Sequence, residues 1–241
     1  TAEDIQAIAD LLNHRGLTSL ALESPQVSLE PILALLAENK HLVKLRSSSR
    51  LHGNIKLLAQ AIQRNEYLTR LILSDNEFDD ADIASIARAI IDNPAHSLTD
   101  LSLAHNTFTV RGLKSLASCL VNPAVKISKL NLSWCGLDAS CAPYVANVLK
   151  NNRTLRHLDI ESNNFTAAGL MQIYEAVLLN DRLEILKIGP QSLRGEGALR
   201  APMNLMSLPD KLSRLCHLAD KKMEGNERIH QAPQKTLSVK G

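Results

Sequence analysis

One short pattern recurs down the chain and limits what it can fold into. Leu68-Thr-Arg-Leu71-Ile-Leu73-Ser-Asp-Asn76 reads L-x-x-L-x-L-x-x-N, and Leu98-Thr-Asp-Leu101-Ser-Leu103-Ala-His-Asn106 reads the same. Ile127-Ser-Lys-Leu130-Asn-Leu132-Ser-Trp-Cys135 and Leu155-Arg-His-Leu158-Asp-Ile160-Glu-Ser-Asn163 continue it. Leu183-Glu-Ile-Leu186-Lys-Ile188-Gly-Pro-Gln191 is a weaker copy. Upstream, Leu17, Leu20 and Leu22 keep the three apolar positions, and Leu42-Val-Lys-Leu45-Arg-Ser-Ser keeps two. About seven units follow, roughly 25 to 30 residues apart, the period of a stacked repeat.

The L-x-L core alternates with period two, so its leucines enter the core from one face of a short parallel strand. The Asn falls where the chain leaves that strand, where its amide can satisfy turn backbone. Cys135 occupies that slot, which explains it without chemistry. Between strands the apolar residues switch to helical spacing: Ile83, Ile86, Ala87, Ile90 and Ile91; Leu113, Leu116, Ala117 and Leu120; Leu170, Ile173, Tyr174 and Val177. These helices end near Asn65, Asn93, Asn122, Asn152 and Asn180, with Pro94 and Pro123 after two of them. Phe78, Phe108 and Phe165 each lie two residues past the repeat Asn, with Leu137 in the same slot, which predicts a buried column. Such units cannot bury their faces alone and must stack. The expected fold is an α/β solenoid, a horseshoe with parallel strands on its concave face and helices on its convex face.

The boundaries follow. Residues 1–16 are expected to form a capping helix, 17–194 the repeats, 195–224 an irregular and helical cap, and 225–241 a flexible polar tail. Leu205, Leu208, Leu212, Leu215 and Leu218 suggest the terminal helices.

With 27 basic and 25 acidic residues, a net charge of +2 and 3% aromatics, the chain lacks the signature of a nucleic-acid binder. Its apolar runs are far shorter than the ~20 residues of a membrane span. The acidic start Thr-Ala-Glu-Asp does not read as a secretory leader. Cys119, Cys135, Cys141 and Cys216 form no C-x-x-C pair and are expected to be reduced and buried. A cytoplasmic setting is the expectation.

The long period with a full helix per unit is similar to the ribonuclease-inhibitor type of leucine-rich repeat, over roughly residues 15 to 195. That type includes ribonuclease inhibitor, the ligand-sensing part of NOD-like receptors, the Ran GTPase-activating protein and tropomodulin, and secreted bacterial effectors also use such domains. The run Asn151-Asn-Arg-Thr-Leu155-Arg-His-Leu158-Asp-Ile160-Glu-Ser-Asn163-Asn-Phe165 resembles tropomodulin locally, and the strand ending Gly-Pro-Gln191 does so less closely. Against that likeness, more repeats than in tropomodulin and a different tail are expected, without that family's tropomyosin-binding N-terminal part or the long acidic tail of the Ran regulator. The resemblance implies a protein-interaction scaffold, a monomeric domain belonging to a larger protein, without enzymatic activity or cofactor. Actin and a small GTPase are the partners that the tropomodulin and Ran relatives suggest.

The residues themselves carry no enzyme motif: no phosphate-binding loop, no G-x-S-x-G and no H-E-x-x-H. Gly189, Gly195 and Gly197 cluster without the Lys-Ser/Thr of a phosphate loop, and the histidines have no partner at metal-ligand spacing. Asp159 and Glu161 are expected on one face near His157. The candidate binding surface is the outward face of the strands, where aligned units form columns. One column reads Lys44, Arg70, Asp100, Lys129, His157, Ile185; a second Ile72, Ser102, Asn131, Asp159, Lys187; a third, at the strand exit, Asp75, His105, Trp134, Ser162. Arg70 with Asp100, and Asp100 with Lys129, can simply pair, an exchange worth only ~0.2–1 kcal/mol when exposed. Trp134 is the single tryptophan. Two placements are open to it: the concave surface, as an interface anchor, or packing on Phe108 or Leu137 beneath the loop. The expected partner-binding set is Arg70, His105, Trp134, His157, Asp159 and Glu161.

Overall fold

A computed structural model describes residues 7, 10, 12, 17–23, 29–48, 51–188 and 236–238. Seven strands come from the repeats: β1 (Ser19–Leu22), β2 (Lys44–Ser47), β3 (Arg70–Ile72), β4 (Asp100–Ser102), β5 (Lys129–Asn131), β6 (His157–Asp159) and β7 (Ile185–Lys187). Thr236–Ser238 adds β8 beside β7, and the other residues of the expected tail lie outside the described set. The sheet is parallel throughout, in chain order. The helices are α1 (Glu30–Leu36), α2 (Ile55–Arg64), α3 (Asp80–Ile91), α4 (Val110–Leu120), α5 (Ala142–Asn151) and α6 (Ala167–Leu178). Parallel strands sit about 4.8 Å apart, whereas packed helices need about 8–10 Å. A stack with strands along one side and helices along the other must therefore curve, strands inside.

Register makes the core. Leu45, Leu71, Leu101, Leu130, Leu158 and Leu186 are successive pairing partners across the sheet, and all are buried. The helical positions Ile83, Ile86, Ile90, Leu113, Leu116, Leu120, Leu170 and Ile173 meet them from the other side. Phe78, Phe108, Leu137 and Phe165 are buried, as their common phase requires. Where the second unit loses its third apolar residue, Ser47 takes the slot, fully buried and with its hydroxyl unpartnered. That is a local defect in an otherwise apolar column.

Two buried asparagine columns hold successive units together. At the strand exit, Asn106 Oδ1 accepts from the backbone N–H of Asn76 and of Phe78, both at 3.1 Å. Its Nδ2 donates to the carbonyls of Leu73 (2.9 Å) and Leu103 (2.8 Å). Asn163 repeats this on Cys135 and Leu137 and on Leu132 and Ile160. Cys135, in the same column, makes only weaker thiol bonds, to the carbonyls of Leu103 (3.2 Å) and Ser133 (3.6 Å). The second column follows the helices. Asn65 Nδ2 donates to the last carbonyls of the preceding unit, Leu36 (2.6 Å) and Asn39 (2.9 Å), while Oδ1 accepts from Tyr67 and Leu68. Asn93 does the same to Ile62 and Asn65. Helix ends leave carbonyls without intrahelical partners, and these amides satisfy them from the next unit. Asn39 reaches Leu12 in the same way, at 2.6 Å, and residues 7, 10 and 12 are helical.

One inter-unit contact needs a glycine. Asp80, in the first turn of α3, accepts from the Thr109 and Gly112 backbone N–H groups and the Thr109 hydroxyl at the start of α4. Burial alone would raise its carboxyl; these bonds and the nearby Arg111 outweigh it and hold Asp80 below the usual value. A Cβ on Gly112 would lie 2.8 Å from Asp80 Oδ1.

Candidate functional site

The leucines of each strand point into the core, so the intervening residues face the concave side. Pairing aligns them as columns: Lys44, Arg70, Asp100, Lys129, His157 and Ile185 are successive partners, and so are Arg46, Ile72, Ser102, Asn131, Asp159 and Lys187. Arg70 Nε lies 3.1 Å from Asp100 Oδ2. Lys129 and Lys44 have no ion pair among the described residues. Asp159 Oδ2 takes Lys187 at 3.4 Å, and its Oδ1 accepts from the Glu161 N–H. His157 lies 3.6 Å from Glu184, which also pairs with Arg156. Asp159 and His157 are therefore engaged with β7 and the residue just before it. Glu161 has already left β6; it is half-buried, and its Oε1 is shielded from solvent without a hydrogen-bond partner.

The strand exits form a column of a different kind. Asp75, His105, Trp134 and Ser162 all have left-handed backbone, φ 54 to 58°. Each of the first three donates its N–H to a carbonyl of the next unit: Asp75 to Ala104, His105 to Ser133, Trp134 to Glu161. The turn is thus a property of the repeat. Asp and His enter left-handed backbone comparatively readily; a bulky residue such as tryptophan does so at a cost. Trp134 nevertheless sits there, 54% exposed. Its indole stacks on His105, ring centres 5.5 Å apart and planes 9° from parallel, and His105 Nδ1 lies 3.8 Å from Asp75. Of the two placements open in the sequence, the structure takes the surface one, while Phe108 and Leu137 are buried beneath.

Of the six residues expected at the site, His105 and Trp134 stack, Trp134 donates its N–H to the Glu161 carbonyl and Glu161 its N–H to Asp159, while Arg70, His157 and the Asp159 Oδ2 engage other neighbours and Glu161 Oε1 has no hydrogen-bond partner. Sequence reasoning did not assign Glu184, which organises His157 and Arg156. Its signal was its place just before a concave-column residue. Among the described residues, no group of three or more His, Cys, Asp or Glu is placed to hold a metal ion. Cys119, Cys135 and Cys141 are free and buried, and burial pushes the Cys119 and Cys135 thiols up to about 12. Cys216 and the Gly189–Gly197 cluster lie outside the described residues. No helix among the described residues is long and apolar enough to cross a membrane.

Comparison with known proteins agrees with the repeat. The pattern of a family described as Leucine Rich repeat matches residues 64–87, 95–117 and 151–173. The chain is 28% identical over 165 residues to NACHT, LRR and PYD domains-containing protein 4E of Mus musculus, covering 64% of this chain and 17% of that protein. It is 30% identical over 166 residues to NACHT, LRR and PYD domains-containing protein 3 of Bos taurus, covering 67% and 16%. The chain thus spans about a sixth of the length of these relatives. Among solved structures, the tropomodulin C-terminal domain of Caenorhabditis elegans aligns with a TM-score of 0.44 at 14% identity, over 73% of this chain and 93% of that one. By its matched repeats and its strand-and-helix period, the chain is a leucine-rich-repeat domain.

Proposed function

We propose that this domain recognises a protein partner through its concave strand face, centred on the strand-exit column, as one part of a larger protein. The observation that carries the reading is Trp134. The fold supplies no reason for a tryptophan there: it is more than half exposed, and its left-handed backbone penalises a large side chain. Large aromatics held half in solvent are the residues that anchor interfaces. Lys44 and Lys129, without an ion pair among the described residues, and the acids Asp159 and Glu161 at and just past β6 provide the polar surround expected of such a surface. The relatives whose names include NACHT and PYD domains support a role within a longer chain.

Capture from a lysate of the organism of origin tests this, comparing wild type with Trp134→Ala, Asp159→Lys after both are shown to melt alike. The reading expects a partner held by the wild type and lost by the variant. A partner set identical for both would overturn it. Actin co-sedimentation and turnover of GTP by a small GTPase are the first two directed assays.

A further inference from the structure

We infer that the partner presents a basic side chain, arginine foremost, to the face of Trp134 that looks toward β6. This rests on the reading above and adds the chemistry of what docks there. One face of the indole carries an aromatic stack. His105 lies parallel against it at 5.5 Å, on the side of β4. The next residue in the same column is Ser162, whose side chain carries a single carbon and cannot cover an indole. Among the described residues no second ring stacks on the indole, in keeping with its 54% exposure.

The surroundings of the face toward β6 are acidic. Glu161 adjoins Trp134 through the backbone bond from the Trp134 N–H to the Glu161 carbonyl, 3.1 Å. Its Oε1 has no hydrogen-bond partner and is screened from solvent, but the residue is only half-buried, so a turn of its side chain brings the carboxylate to an arriving cationic donor. Asp159 adds a second carboxylate two residues earlier, with Lys187 at 3.4 Å as its only partner cation among the described residues. At the far end of the column Asp75 makes the same edge acidic. The lysines without ion pairs, Lys44 and Lys129, lie at the opposite, strand-start edge. An acidic segment would be repelled at Trp134. A guanidinium can lie flat on the indole while its N–H groups reach Glu161, and tryptophan is the best ring for a cation.

Trp134 is the only tryptophan, so its fluorescence reports this face alone. The full chain is titrated with acetyl-(Gly-Arg)5-amide, its citrulline counterpart of equal shape without charge, and its glutamate counterpart. The arginine peptide is expected to change Trp134 emission saturably and to bind at least about fivefold more tightly than the citrulline peptide. Glu161→Gln is expected to reduce that preference to less than about twofold at unchanged thermal stability. The inference is overturned if the citrulline or glutamate peptide binds as well as the arginine peptide, if no peptide gives a saturable change, or if Glu161→Gln leaves the preference intact. Lysate capture separates its failure from that of the broader reading. A partner lost in Trp134→Ala but retained in Glu161→Gln keeps the concave recognition surface and removes the basic occupant.

Discussion

Residues 105 and 106 are chain neighbours, as are 134 and 135, yet the two members of each pair serve different ends. Asn106 and Cys135 turn inward to the seam between units, where Asn106 bonds four backbone groups of two units. His105 and Trp134 turn outward on the same left-handed turn, and their rings stack on each other. The inner column is chosen by the fold, since every buried backbone group there must find a partner. The outer column obeys no such demand, and its occupants change from unit to unit: Asp, His, Trp, Ser. A residue that the repeat neither needs nor favours is the reason for proposing a binding role at this column.

The largest effect should come from the inner column. Asn106→Ala removes the partner of two N–H and two C=O groups that stay buried. With each such group costing about 1–3 kcal/mol, the loss should be at least about 3 kcal/mol, read as a lower urea midpoint at unchanged slope. A loss below 1 kcal/mol would mean that the seam relaxes and that the inner column is no stricter than the outer.

Gly112→Ala comes next. Alanine normally improves a helix by about 1 kcal/mol. Here its Cβ would press on Asp80 Oδ1, and the bridge between α3 and α4 must open, at a net cost of about 1–3 kcal/mol. Urea unfolding gives the sign, and stabilisation would show that this seam is soft.

A smaller, pH-dependent effect belongs to His96. It is buried, both ring nitrogens lack a partner, and burial first, then Lys126, lowers its pKa below 6.5. The unfolded chain therefore takes up the proton more readily than the folded one. Stability is complete above about pH 6.5 and falls as pH drops below it. His96→Leu should flatten the urea midpoint between pH 7 and 5; an unchanged slope would remove His96 as its cause.

Much of this was legible in the sequence. The leucine phase placed β3 to β6 and their columns because period-two burial leaves no alternative register. The phenylalanine phase placed a buried column for the same reason. Asn65, Asn93 and Asn152 were visible as helix-end residues, but their bonds to the previous unit were not, since a single sequence does not show which orphan carbonyl lies opposite. Asp80 and Gly112 were silent for a related reason: their contact joins units 32 residues apart. At the candidate site, the alternation that brought Trp134 to the surface could not reveal the His105 stack, nor that Glu184 lies beside His157.

The central claim is that the outer column exists for binding and the inner for folding. The most direct test measures the affinity of the captured partner for wild type and for Trp134→Gly, with the urea midpoint of each recorded on the same samples. The account predicts an affinity loss of at least about tenfold, the scale of an interface anchor, with a midpoint equal to or above wild type, because glycine relieves the left-handed turn. Undiminished affinity, or a midpoint lowered as far as that of Asn106→Ala, would contradict it.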